Sequence, residues 1–342
     1  MAVLGTNFPS FIDFARREDN VGSVESNIIE LLTQSNQILE DAVLVEGNIQ
    51  TGHKTTVRTG LPTATWRMLN YGVQPSKSST AQVTDTCGML EAYAEVDKDL
   101  ADLNGNTAAW RLSEDKAFFE AMNQAMAQTL FYGDMTTNPE RFLGIAPRYN
   151  ATTGSASAAN VIKAGGSGSD NTSIFLVFWG PNTVHTIYPK GSKAGLVRQD
   201  LGEVTLLDAA GGKYQGYRTH YQWKLGLTVR DWRYVIRICN IDVSDLMQAG
   251  DATDGSANLI KLMLVALNSI PAVGMGRPVF YMNNTVKTYL EVKLVNTRTA
   301  STNPNPGLRM DEITNGPGYV TSFMGVPIKR CDQIINAETL VS

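Results

Sequence analysis

"LSEDKAFFEAMNQAMAQTLFYGDMTTNPERFLGI", residues 112–145, decides how the rest of the chain is read. Ser113 reads as a helix N-cap, with Glu114 and Asp115 in the first turn, where the helix dipole favours negative charge. Phe118, Met122, Ala125, Met126 and Thr129 recur at spacings of three and four. That spacing predicts a helix over 112–132 with one apolar face, and Phe118, Met122 and Met126 as its core contacts. Gly133 stops the helix, Pro139 bars its resumption, and Phe142-Leu143-Gly144-Ile145 starts a new buried segment. At 1.5 Å per residue the helix is about 30 Å long, the width of a small domain. So deliberate a stop, in a chain with no evident reactive centre, suggests a girder followed by a second structural unit.

Upstream, "TGHKTTVRTGLPTATWRMLNYGVQPSKSSTAQVTDT" (51–86) is rich in Thr and β-branched residues and punctuated by Gly60, Pro62, Gly72 and Pro75. This predicts a two-stranded ribbon, with "TTVRT" and "TWRML" as its strands. Its larger apolar residues are few: Val57, Leu61, Trp66, Met68 and Leu69. A lone ribbon is marginally stable in water, so this one is expected to complete its burial outside its own subunit. The first 22 residues, with Phe8, Phe11, Ile12 and Phe14 among polar neighbours, read as an arm that orders on a neighbour's groove. "SVESNIIELLTQSNQILED" (23–41) reads as a helix capped by Ser23.

Beyond the girder, residues 150–172 are small and polar, a surface loop. "IFLVFW" (174–179) reads as a buried strand. "WRYVIRI" (232–238) reads as an alternating one, with Trp232, Tyr234, Ile236 and Ile238 opposite Arg233 and Arg237. "SANLIKLMLVALNSIP" (256–271) and "NNTVKTYLEVKL" (283–294) read as helices, the second capped by Asn284. "CGMLEAYAEVDKDLADL" (87–103) reads as a strand followed by a turn or short helix. The class is therefore α+β.

Composition narrows the function. The net charge of −4 argues against sequence-independent gripping of nucleic acid, which calls for a basic field, though not against enclosing it. No apolar run approaches the ~20 residues of a spanning helix, so no membrane role is expected. The N-terminus lacks a basic start followed by an apolar stretch, so cytoplasmic synthesis is the expectation. Cys87, Cys239 and Cys331 form no Cys-x-x-Cys pair and read as small buried thiols. His53, His185 and His220 lie at no metal-ligand spacing and read as solvated or core side chains. "AGGSGSD" (164–170) lacks the Lys-Ser/Thr of a phosphate loop, and Pro278 spoils "GMGRP" as a dinucleotide fingerprint. No catalytic, cofactor or metal site is expected.

Four stretches, in order, carry a resemblance. "TWRMLNYGVQPSKSSTAQV" leading to "LEAYAEVDKDLADL", then "AMNQAMAQTLFYGDMTTNPERFLGI", "VFYMNNTVKTYL" and "SFMGVPI" resemble the major capsid proteins of tailed bacteriophages, with their Hong Kong 97-type fold. "TTVRTGLPTATWRMLNYGVQPS" and "GPNTVHTIYPKGSKAGL" look closest to those of short-tailed phages. The resemblance implies an N-terminal arm and helix (1–50), an extended loop (51–86) and a peripheral domain (87–138) with the spine helix at 112–132. It further implies a mixed α/β axial domain (139–318) and a C-terminal segment (319–342), for which a return to the peripheral domain is one route. It implies self-assembly as hexamers and pentamers into an icosahedral virion shell, assembled in the host cytoplasm and enclosing double-stranded DNA without sequence-specific contact. A separate scaffolding protein, a portal and a decoration protein are the implied partners. Arg58, Trp66, Arg67 and Lys77 are the inter-subunit contact candidates. The alternative is a cellular nanocompartment shell of the same fold.

Overall fold

Every residue of the strand Asn171–Trp179 is buried, which is why "IFLVFW" shows no polar alternation: both of its faces are covered. The computed structural model describes residues 34–103, 107–208, 210–248, 258–300, 308–311 and 319–342. The predicted arm and the Ser23-capped start of the first helix lie outside these. In chain order the first elements are α1 (Ile38–Asp41), β1 (Leu44–Glu46), β2 (Gly52–Gly60), β3 (Ser79–Asp97), α2 (Lys98–Asp102), α3 (Thr107–Tyr132) and α4 (Ile145–Arg148). Then come β4 (Val161–Lys163), β5 (Asn171–Trp179), β6 (Val184–Tyr188), β7 (Leu196–Leu207), β8 (Lys213–Val229), β9 (Val235–Asp242) and α5 (Val243–Gln248). The last are α6 (Leu259–Asn268), β10 (Arg277–Met282), α7 (Asn284–Ala300), β11 (Leu308–Asp311), β12 (Tyr319–Phe323) and β13 (Val326–Arg330).

The described residues divide into two compact units: Gln34, Met89–Met126 and Gly195–Lys224 belong to one, and Ser35–Gly88, Ala127–Ala194 and Leu225–Ser342 to the other. In the first unit, β7 and β8 form an antiparallel hairpin over Leu196–Leu207 and Lys213–Trp223. Ala94, Met122 and Tyr221 make a buried cluster there, flanked by Leu90, Ala92, Phe118, Phe119, Leu196 and Trp223. A second cluster joins Val96, Leu100, Ala101 and Trp110. Met122 is fully buried, whereas Phe118 is half-buried and stacks on Tyr221 with ring centroids 5.9 Å apart. The helix begins at Thr107, so Ser113 sits inside it and is not its cap. Asp115 is instead buried as the ion-pair partner of Arg198, at 2.7 Å.

In the second unit β5 runs antiparallel to β10 on one side and β9 on the other. β13 runs parallel to β10, and β12 folds back on β13. Met324 and Gly325, with φ of 50° and 83°, connect β12 to β13, the positive pair that a two-residue type I′ hairpin demands. One face of this sheet, through Ile174, Leu176, Phe178, Ile236, Ile238, Phe280 and Met282, packs on Leu259 and Met263 of α6 and Val286 and Leu290 of α7. The other face presents Phe175, which Phe131 at the end of α3 approaches at 5.1 Å. Met126, the last of the predicted core methionines, is buried in the first unit.

Two local readings change. "WRYVIRI" opens as a short 3-10 turn at Trp232–Tyr234, and the strand starts at Val235. The cap of α7 is Asn283, whose Oδ1 accepts from the Val286 amide at 2.8 Å, one residue before the predicted Asn284. Asn258 caps α6 in the same way through Lys261. Gly133 does end α3, its amide donating to Thr129 O at 2.9 Å. A Cβ there would lie 2.4 Å from Phe142 O, so close backbone approach demands glycine.

Candidate functional site

The ribbon is the least self-sufficient part of the described chain. β2 pairs antiparallel with β3, from Gly52↔Thr86 to Gly60↔Ser79. "TTVRT" is therefore a strand, but "TWRML" is not: its expected place is taken by Ser79–Thr86. Residues 61–78 form no strand. Pro62 and Pro75 lack the amide hydrogens a ladder uses, and the tip meets no sheet edge among the described residues. Two hydrogen bonds organise it, Tyr71 N to Met68 O and Ser76 Oγ to Thr63 O. Leu61, Met68, Leu69 and Tyr71 are exposed, and Trp66 is completely so, at 104%. A cluster of large apolar side chains standing in water marks a contact surface.

Of the predicted contact residues, Trp66, Arg67 and Lys77 lie in this tip and Arg58 near the end of β2, all exposed. None of the three cations pairs with a carboxylate of its own subunit among the described residues. Arg58 also lines a cleft of about 1330 Å³ beside the ribbon, with Lys54, Arg148, Arg230, Arg233 and Asp231. Arg233 is spoken for by Asp231 at 2.7 Å, and Arg148 by Asp85 at 2.8 Å. Arg230 donates to Pro181 O at 2.9 Å and has no carboxylate partner among the described residues.

The ribbon's root is the opposite of its tip. A Cβ on Gly52 would come within 1.9 Å of Asp85 O, so the two strands start in closest contact. Arg148 of α4 holds Asp85 and also donates to Leu143 O and Leu227 O. His53 and His185 are buried edge to face, with ring centroids 5.8 Å apart. Burial, with the like charge of His53 and Arg230 adding to it, pushes His185 down to about 4. Burial and Arg230 lower His53 as well, with Asp85 opposing. The third histidine, His220, stacks on Tyr93 at 4.6 Å.

Three buried polar centres escape a reading by local pattern. Arg237 Nη2 meets Glu338 at 2.8 Å, with Ser173 and Tyr132 on the same carboxylate. Asp41 accepts from Arg277 at 2.8 Å, Lys329 at 2.9 Å and Tyr281 at 2.8 Å. The histidine pair is the third. All join residues far apart in sequence; the one available signal was an arginine on a strand too apolar to be exposed. Among the described residues no group of three or more His, Cys, Asp or Glu could hold a metal ion. No described helix is long and apolar enough to cross a membrane.

Residues 19–342 match the family model of major capsid protein GP7. No curated protein matches. The chain is 37% identical to one in the near-atomic cryo-EM structure of bacteriophage Epsilon15, over 100% of this chain and 99% of that one, with a TM-score of 0.78. Two distant similarities are to the capsid of bacteriophage JBD30 (10% identity, 91% and 95% covered, TM-score 0.47) and to the SrpI encapsulin of Synechococcus elongatus (8%, 70% and 96%, 0.44). With a family model spanning nearly its whole length and a phage relative matching end to end, the chain belongs to the major capsid proteins of tailed bacteriophages and has their Hong Kong 97-type fold.

Proposed function

We propose that the ribbon, residues 51–86, is the element through which one subunit of the shell holds the next. The single observation that carries this is the tip: Leu61, Trp66, Met68, Leu69 and Tyr71 are exposed together, with nothing among the described residues of their own subunit to cover them. Their burial on an adjacent copy removes that apolar surface from water, at about 25 cal/mol per Å². Arg58, Arg67 and Lys77 add charge to the same contact; as rim pairs they contribute little affinity each and mainly fix register. In this reading 1–50 is the N-terminal arm and helix, 87–138 the peripheral domain, 139–318 the axial domain and 319–342 the C-terminal segment.

A capsid protein builds its shell from hexamers and pentamers, and its place is the virion. We further infer that the shell encloses double-stranded DNA without gripping it, in keeping with a net charge of −4. A separate scaffolding protein, a portal and a decoration protein complete assembly in the host cytoplasm, and the subunit has no turnover.

Because Gly60 and Ser79 face each other across the ribbon, a two-residue turn can replace residues 61–78 without disturbing the paired strands. The shortened protein is expected to fold, by circular dichroism, and to fail to form stable shells, by electron microscopy of the same preparation. Normal shells would make the tip dispensable, and an unfolded product would make it part of the subunit core; either result overturns the reading.

A further inference from the structure

Buried polar atoms without hydrogen-bond partners are rare and call for an explanation one by one. Here many of them gather at the root of the ribbon: both ring nitrogens of His53 and of His185, Thr55 Oγ1, Asp85 Oδ2, Arg148 Nε and Thr228 Oγ1. The topology puts them together. His53 of β2 is the cross-strand neighbour of Asp85 on β3, and His185 of β6 that of Thr228 on β8. Thr55 is two residues along β2 from His53, on the same buried face. His185 approaches the Gly180 backbone, the one contact on it that favours a charged ring.

Titratable and charged groups near the pair lie on β3, on α4 and at the end of β8. β3 supplies Asp85 and the half-buried Cys87, whose thiol burial raises to about 11 and keeps neutral. The helix α4 supplies Arg148, which already occupies Asp85 at 2.8 Å, and the end of β8 leads into Arg230. One engaged carboxylate thus stands against two guanidinium groups. Two neutral imidazoles fit this setting; two imidazolium ions would be desolvated and repelled by each other and by both arginines. Among the described residues no third ligating side chain converges on them, so the rings are not arranged there for a metal either.

We propose that His53 and His185 form an acid-sensitive latch at the root of the ribbon, closed while both rings are neutral and released when they take up protons. This does not depend on what the ribbon tip binds. Burial holds each ring below the ordinary histidine value of 6.5, to about 4 for His185. Above about pH 7 both the closed and the opened root leave the rings neutral, and pH has no effect. As pH falls from 6.5 towards 4, the opened root binds a proton at His185 that the closed one refuses, so opening becomes easier by up to about tenfold per pH unit, and His53 acts in the same direction.

Amide hydrogen exchange on the full-length protein, read on peptides covering 52–60 and divided by the intrinsic rate, measures this between pH 7.5 and 4.5. Protection of 52–60 is expected to fall steeply below pH 6.5 while peptides of β5 and β10 keep theirs. The double variant His53→Gln, His185→Gln is expected to lose that slope. A flat profile in the parent, the same slope in the variant, or loss in step with β5 and β10 would overturn the proposal. Exchange of the histidine C2 hydrogens in the unaltered protein gives a second readout, needed if the variant does not fold. His185 titrating well below 6 supports the latch, and titration of both rings near 6.5 overturns it.

Discussion

The Arg237 guanidinium lies 2.8 Å from the Glu338 carboxylate, with only 5% and 3% of the two side chains exposed. The arginine also donates to Ala146 O, Tyr149 O and Ser173 Oγ, so its charge is shared among four acceptors. Glu338 in turn holds the C-terminal segment, its amide donating to Asn171 O at 2.8 Å. Removing one partner of a buried pair strands the other's charge in a dry site. Glu338→Ala is therefore expected to cost about 3–5 kcal/mol, read as a lower urea midpoint at unchanged slope. Glu338→Gln, which keeps an acceptor, should cost less.

Gly133 and Gly72 make a matched pair. A Cβ at Gly133 would meet Phe142 O at 2.4 Å and Thr129 O at 2.6 Å, whereas Gly72 has nothing within 4 Å. Gly133→Ala should destabilise by about 1–3 kcal/mol through forced backbone shifts. Gly72→Ala should stay within about 0.5 kcal/mol of the parent. Thermal melting of both separates a packing constraint from a mere turn preference.

On the spine helix the order of importance is Met122 before Phe118. Met122 is 3% exposed, and its truncation to Ala should cost about 2–5 kcal/mol. Phe118 is only half-buried, so Phe118→Ala should fall below the roughly 3–5 kcal/mol of a fully buried ring. Chemical denaturation giving the reverse order would mean that the helix presents a different face to its sheet.

Trp66→Ala should separate folding from assembly. The side chain is completely exposed, so stability should change by less than about 0.5 kcal/mol. If the ring is an interface anchor, association should weaken by about 2 kcal/mol or more per contact. Light scattering would show this as a raised threshold concentration for shell formation, beside an unaltered melting curve.

How much of this was readable in the sequence varies by element for physical reasons. The stop at Gly133 and the strand at 174–179 were legible because backbone chemistry and apolar runs act locally. The start of α3 was not: the helix begins at Thr107, six residues before Ser113, and Trp110 in this first stretch is buried by packing against Val96, Leu100 and Ala101, none of them near it in a local pattern. The second ribbon strand lies elsewhere because "TWRML" has strand composition but no partner among the described residues, while the less apolar Ser79–Thr86 has one. Strand propensity reports fit to a pleated surface, and the partner supplies that surface. Arg237 was seen on the polar side of its strand, but its carboxylate lies 101 residues away, beyond any local pattern.

The cysteines carry a practical consequence. Burial raises all three thiols: Cys87 to about 11, Cys331 to about 12, and Cys239 in the same direction. The thiolate is the reactive form, so near pH 7 the subunit is expected to be almost silent towards maleimides and disulfide reagents. A cysteine introduced at Gly72, in open space on the ribbon tip, would be labelled against that silent background. A fluorophore carried there would follow each tip as shells form and come apart, without removing a single native thiol.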